Sequence, residues 1–273
     1  MTPARTPEGP APAPAVQKLR IRYAKRGRLR FSSHRDFQRA LERALRRAGV
    51  PMAYSAGFTP HPKVSYAGAA PTGVASEAEY VELSVTSAVD PERLRDLLDA
   101  SLPAGLDVIE VVEARGGTLA DRLQASVWEV RLPGVEPAAA RAAARAFLAC
   151  PSVEVQRLMK NGVRTFDARP AVLRLTVAPP AAATPTDGAA PEPAPSWAPC
   201  AILNMVVRHT TPAVRPDDVL TGLAHAARFV PPVAPSVTRL AQGLLDEVSG
   251  TVSDPLTPDR TLGGDAVGAP ALP

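Results

Sequence analysis

Two short strings carry the side chains best suited to chemistry in this 273-residue chain: Ser32-Ser33-His34-Arg35-Asp36-Phe37 and Gly57-Phe58-Thr59-Pro60-His61-Pro62-Lys63. His34, Asp36 and His61 are the candidate catalytic residues. An imidazole changes charge near neutral pH, and imidazoles and carboxylates both ligate divalent cations, so the three are a minimal acid–base or metal set. Nothing in their spacing requires that they meet. His61 stands between two prolines, which stiffen the chain around it and suit a recognition loop better than a general base. Elsewhere the chain lacks a P-loop, a dinucleotide fingerprint and a nucleophile elbow. Its two cysteines, Cys150 and Cys200, make neither a ligand set nor a disulfide framework and read as buried thiols. No cofactor is expected, and a metal enters only as the alternative use of His34, Asp36 and His61.

Charge is segregated around these strings. From Lys18 to Lys63 there are 13 Lys and Arg against two acids, Asp36 and Glu42, while the whole chain is only +4. The following stretch, Glu77–Glu113, holds ten acids against Arg93 and Arg95 and reads as a solvated acidic face. A basic block interleaved with His, Phe and Pro fits a surface that meets a polyanion. RNA is the expected partner. Arg35, Arg39, Arg43, Arg46, Arg47 and Lys63 are the candidate phosphate contacts, Phe58 a candidate stacking residue, and His34 and His61 would read a base or ribose.

The elements that must position these residues follow from periodicity. Gln17–Ala24 alternates Leu19, Ile21 and Tyr23 with Lys18, Arg20 and Arg22, the pattern of a half-buried strand with one cationic face. Ser33, with Asp36 three residues on, caps a helix whose apolar stripe is Phe37, Ala40, Leu41, Ala44, Leu45 and Ala48. Gly49 and Pro51 end it. Val64–Ala67 and Glu79–Val85 read as extended, Asp90-Pro91-Glu92 starts a second helix, and Leu106–Glu113 is a β-branched strand. That β-α-β-β-α-β order predicts a ferredoxin-like sandwich.

The pattern partly recurs. Ser126–Leu132, Val153–Leu158, Arg164–Asp167, Ala171–Val177 and Ala201–Arg208 are expected strands, with a hairpin turn at Lys160-Asn161-Gly162. Glu136–Ala149 and the segment from Pro216 are expected helices. The fold class is therefore α+β, as tandem ferredoxin-like sandwiches: a basic domain over 17–122 and a second, decorated domain over 123–248. A Pro/Ala-rich insertion at 179–199 interrupts the second, and 1–16 and 249–273 read as structureless tails. No stretch approaches the roughly 20 apolar residues of a membrane span, and the first residues lack an apolar signal core, so a cytoplasmic protein without a membrane partner is expected.

Gly27-Arg28-Leu29-Arg30-Phe31-Ser32-Ser33-His34-Arg35-Asp36, followed by the Gly57–Lys63 string and Glu77-Ala78-Glu79-Tyr80, resembles the radical SAM-linked protein family, a bacterial domain of unknown function. The resemblance covers roughly residues 17–180. It implies a radical SAM protein as partner, since domains of this family are fused to one or encoded beside one. Cys150 and Cys200 cannot supply the three cysteines of a radical SAM cluster, so the chain is expected to be the companion rather than the radical enzyme. The leading expectation is an accessory protein, itself non-catalytic, that binds RNA through its basic face. The alternatives are an enzyme using His34, Asp36 and His61 on RNA or a small molecule, and a protein-only adaptor for the radical SAM partner.

Overall fold

The computed structural model describes residues 12–159, 162–178 and 199–260. The described chain is a mixed α+β protein whose strand pairing is mostly antiparallel, and it divides into two compact units. The first comprises the chain up to Thr72, Glu79–Ala120, and the segment from Leu256; the second comprises Gly73–Ala78 and Asp121–Pro255.

In the first unit, β1 (Gln17–Lys25) pairs antiparallel with β4 (Val108–Glu113) in the register Ile21 opposite Val111, and β2 (Val64–Ala67) pairs antiparallel with β3 (Ala75–Val85). The strand order is β4-β1-β3-β2. Between the strands run α1 (His34–Arg47) and α2 (Pro91–Ser101). Ser33 caps α1 as its sequence predicts: the Ser33 hydroxyl accepts from the Asp36 main chain at 3.2 Å, and the Asp36 carboxylate accepts from the Ser33 N–H at 3.0 Å. Asp90 caps α2 by accepting from the Arg93 N–H at 2.8 Å, with Pro91 in the first helical position. The expected stripe of α1, from Phe37 to Ala48, is buried throughout and packs with Ile21, Leu83, Leu94 and Leu98. Burying each such aliphatic side chain stabilises the fold by about 1.5–3 kcal/mol, and this is what sets the rotation of α1.

The supposed cationic face of β1 is only partly exposed: Lys18 is exposed and Arg22 half-buried, but Arg20 is not exposed. Arg20 and Lys25 are buried at 1% and 6% exposure, and the cover over Arg20 comes partly from a helical turn at Thr257–Arg260. That turn overturns part of the expected tail, as does a short strand before it, described below. Residues 261–273 of that tail, residues 1–11 of the first tail and all but Pro199 of the insertion at 179–199 lie outside the described residues.

In the second unit β5 (Ala125–Pro133) is followed by α3 (Pro137–Ala149), a hairpin of β6 (Glu154–Met159) and β7 (Gly162–Asp167), β8 (Val172–Val177), β9 (Cys200–Arg208), α4 (Pro216–Ala227) and β10 (Ser236–Asp246). The hairpin forms its own two-stranded sheet, and its turn residues Lys160 and Asn161 lie outside the described residues. The other four strands run β10-β5-β9-β8 with every neighbour antiparallel. β11 (Thr251–Ser253) adds to β10. α3 packs with Ala140, Ala143, Ala144 and Phe147 inward, and these small side chains let α4 approach so closely that a Cβ on Gly222 would stand 2.7 Å from the Phe147 ring. Neither β10 nor β11 is among the expected strands.

Candidate nucleic-acid interface

The face of α1 opposite its buried stripe carries Arg35, Arg39, Arg43, Arg46 and Arg47, all exposed. At about 100° per residue these five fall within an arc of roughly 120°, and at 1.5 Å per residue they span about 18 Å of helix. The apolar stripe fixes that arc outward. Among the described residues none of the five forms an ion pair with a carboxylate; Arg46 bonds the Glu42 carbonyl at 3.3 Å and Arg47 the Ser101 carbonyl at 3.0 Å.

The cations of β1 and its turn have the opposite fate. Lys18 pairs with Glu82 at 3.3 Å and Arg26 with Asp107 at 2.8 Å. Arg20 pairs with Glu82 at 3.0 Å and Asp259 at 2.9 Å, and also donates to the Gly117 carbonyl at 2.7 Å. Lys25 donates to the carbonyls of Ala70 and Pro71. Two of these acids, Glu82 and Asp107, belong to the stretch read as a solvated acidic face. The basic window thus holds cations engaged by carboxylates or carbonyls, such as Lys18, Arg20, Lys25 and Arg26, and a row of arginines presented by α1, with Arg28 and Lys63 exposed as well.

The Gly57–Lys63 loop is a return held at its base. Ser55 and His61 bond through their main chains at 2.9 Å, the Ser55 hydroxyl accepts from the His61 N–H at 3.0 Å, and Lys63 donates to the Ala53 carbonyl at 2.7 Å. Gly57 sits at φ 135°, a conformation that L side chains rarely adopt. Beyond it Phe58 is 69% exposed, and His61 and Lys63 are exposed as well.

His34, Asp36 and His61 are not joined by any hydrogen bond or ring contact among the described residues. Asp36 is committed to Ser33: its carboxylate accepts from the Ser33 hydroxyl at 2.6 Å, and that bond, then the Ser33 N–H, then the nearby Arg39, hold it below the ordinary carboxylate range. His34 receives a hydrogen bond from the Gln38 amide at 3.1 Å and lies edge-on to Tyr66, ring centres 4.8 Å apart. Tyr66 continues through Phe37 to Tyr23, which stacks on Phe37 at 4.2 Å. Burial, and then the charge of Glu42, push the Tyr66 phenol up to about 12, so it stays protonated at physiological pH. No group of three His, Cys, Asp or Glu among the described residues is arranged to hold a metal. Cys150 is partly exposed and Cys200 exposed, so neither is the buried thiol that composition suggests.

A shallow pocket flanks each side of the arginine row. One, of about 220 Å³, is lined by Glu42, Leu45, Arg46, Val50, Met52, Tyr54 and Pro62. The other, of about 260 Å³, lies between Arg43 and Arg47 and the end of α2 at Ser101–Pro103. Sequence reasoning singled out neither Tyr54 nor Tyr66. Tyr66 had a signal, alternation with Val64 in a short extended run; Tyr54, 41% exposed, had none beyond its aromatic type.

Residues 18–216 match a family model described as an uncharacterized protein conserved in bacteria (DUF2344). No curated protein matches the chain. No helix among the described residues is long and apolar enough to cross a membrane.

Proposed function

The chain belongs to this bacterial family, and we propose that it is a cytoplasmic accessory protein that binds single-stranded RNA along α1. One observation carries the reading: five exposed arginines share one arc of a helix without a carboxylate partner among the described residues, whereas Lys18, Arg20 and Arg26 of the same basic window are paired with acids. Unpaired guanidinium groups in a row are suited to phosphates, which they bind in a bidentate manner. Phe58 and Lys63 extend the surface through the neighbouring loop, with His34 and His61 at its edge. The repeated strand order, β4-β1-β3-β2 and then β10-β5-β9-β8, supports two ferredoxin-like sandwiches, with the β6–β7 hairpin as the decoration of the second.

The resemblance to radical SAM-linked proteins gives this activity a use: the chain delivers an RNA substrate to a radical SAM partner. The enzymatic reading of His34, Asp36 and His61 is the weaker one, because among the described residues the three share no contact: Asp36 is bonded to Ser33, the His34 ring to Gln38, and only the main chain of His61 to Ser55.

The test is binding of a fluorescent single-stranded RNA followed by anisotropy. Five phosphate contacts to a single strand give a log–log salt slope of about −3.5, or about 100-fold weaker binding between 50 and 200 mM salt. Reversing Arg43 and Arg46 to Glu removes two contacts and adds repulsion, so binding should be lost. Equal affinity in the double variant rejects this surface. A radical SAM partner that co-purifies through the same face and resists nuclease favours the protein-only adaptor instead.

A further inference from the structure

We infer that the pocket between Tyr54 and Glu42 seats one unpaired nucleobase whose edge carries an amino group, while Arg46 holds the adjoining phosphate. This rests on the RNA-binding reading and adds to it a site of base selection. The floor is apolar: Leu45, Val50 and Met52 are 2%, 9% and 9% exposed. Tyr54 supplies an aromatic wall that is still 41% exposed, and Pro62, whose segment is bridged to that of Tyr54, closes the far side. An apolar-floored pocket with an aromatic wall is how proteins hold a base splayed out of a single strand. At about 220 Å³ it lies below the range of drug-sized sites, large enough for one planar ring system.

Two charged side chains set its chemistry, both from α1 and one turn apart. Arg46 belongs to the outward arginine row, so a strand following that row passes the mouth of the pocket. Among the described residues Glu42 is the only carboxylate lining it. A carboxylate accepts hydrogen bonds and donates none, so it favours a base edge that presents N–H donors. Cytosine, adenine and guanine each carry an exocyclic amino group. Uracil instead flanks its single N–H with two carbonyl oxygens, which a carboxylate repels. The acid that looks misplaced among five arginines thereby acquires a purpose.

The experiment uses the full chain and four nine-nucleotide RNAs, oligouridine with the central base left as U or replaced by A, C or G. At least one amino-bearing centre should bind about 10-fold tighter than the all-uridine probe. Glu42→Gln, close in size and shape, should erase that preference and raise affinity for oligouridine, because the repelling carboxylate is gone. Tyr54→Ala should weaken all four probes about 10-fold or more, with the circular dichroism spectrum reporting that the fold is kept. If all four RNAs bind alike and neither substitution matters, the pocket assignment is overturned although the arginine row stands. If none of the probes binds, or if the Arg43/Arg46 double reversal binds as well as the parent, the interface itself falls and this inference with it.

Discussion

Arg20 and Asp259, 239 residues apart in sequence, meet in a doubly bonded pair: one guanidinium nitrogen lies 2.9 Å from each carboxylate oxygen. Their side chains are 2% and 0% exposed. Asp259 also accepts from the Arg115 N–H at 2.7 Å, so the pair ties β1, the residues after β4 and the helical turn at Thr257–Arg260 together. Removing one member of a buried ion pair leaves a desolvated charge, which typically costs about 3–5 kcal/mol. Glu82 and the Gly117 carbonyl still bond Arg20, so Asp259→Asn should cost near the lower end, about 3 kcal/mol. A urea titration should show a lower midpoint at unchanged slope. An unmoved midpoint would mean that the pair contributes nothing net.

Arginines of the same window should behave oppositely on α1. Arg39, Arg43 and Arg46 are exposed and pair with no carboxylate among the described residues, so reversing any one to Glu should shift stability by no more than about 0.5 kcal/mol. Each should instead lower RNA affinity and make the salt slope shallower by about 0.7 unit. Measuring both quantities on Arg20→Met and Arg46→Glu separates the classes: the first variant loses stability, the second loses binding. A stability loss in the second would place Arg46 among the structural cations.

This division marks how far the sequence is legible. α1 is readable because everything that makes it is local: Ser33 and Asp36 three residues apart, a 3.6-residue stripe, and Gly49 at the end. Its exposed arginines follow as the complement of that stripe. The fate of Arg20 is not local. Alternation assigns it to a solvent face, and only a carboxylate at the far end of the chain reverses the assignment. β10 stays hidden for a related reason, since its inward positions include Arg239 and Gln242, which spoil apolar alternation. Those side chains are satisfied through Ser76 and Ala78, more than 160 residues earlier. The candidate site divides likewise: Phe58, Lys63 and the arginines are legible by type and charge, whereas Tyr54 enters only through a fold-dependent pocket. His34 and His61 are legible as chemistry, but no periodicity reports that the His34 ring meets Gln38, or that Ser55 holds His61 by its main chain alone.

His209 makes stability depend on pH. Its Nδ1–H donates to the Leu123 carbonyl at 2.8 Å, which leaves Nε2 to accept from the Ser126 hydroxyl at 2.7 Å. Burial chiefly, and the charge of Arg239 secondarily, lower its pKa below the ordinary 6.5, against the opposing pull of the Leu123 bond. Below pH 6.5 the unfolded chain takes up a proton that the folded imidazole refuses, so stability falls as pH drops from 6.5 toward the lowered value. Above 6.5 this contribution is fully present and flat. Urea midpoints measured from pH 7.5 to pH 5 should fall for the parent and fall less for His209→Gln. Parallel curves for the two proteins would remove His209 as the source.

Gly243 is the position where the smallest change should do the most damage. An added Cβ would stand 1.9 Å from the Ser253 carbonyl oxygen, and that oxygen belongs to the backbone of β11, which cannot rotate away as a side chain can. At Gly222 the nearest atom, 2.7 Å away, is a carbon of the Phe147 ring, which is able to shift within the interface of α3 and α4. Overpacking that side chains absorb typically costs about 1–3 kcal/mol, so Gly222→Ala should fall in that range and Gly243→Ala should meet or exceed its top. In the second variant the cheapest relief is to detach β11 from β10, where only three residue pairs hold it. Hydrogen exchange should therefore show amides of Thr251–Ser253 losing protection first, before the midpoint of global unfolding. Retained protection there, with a midpoint near that of Gly222→Ala, would mean that the close approach at Gly243 is not needed for the β10–β11 pair.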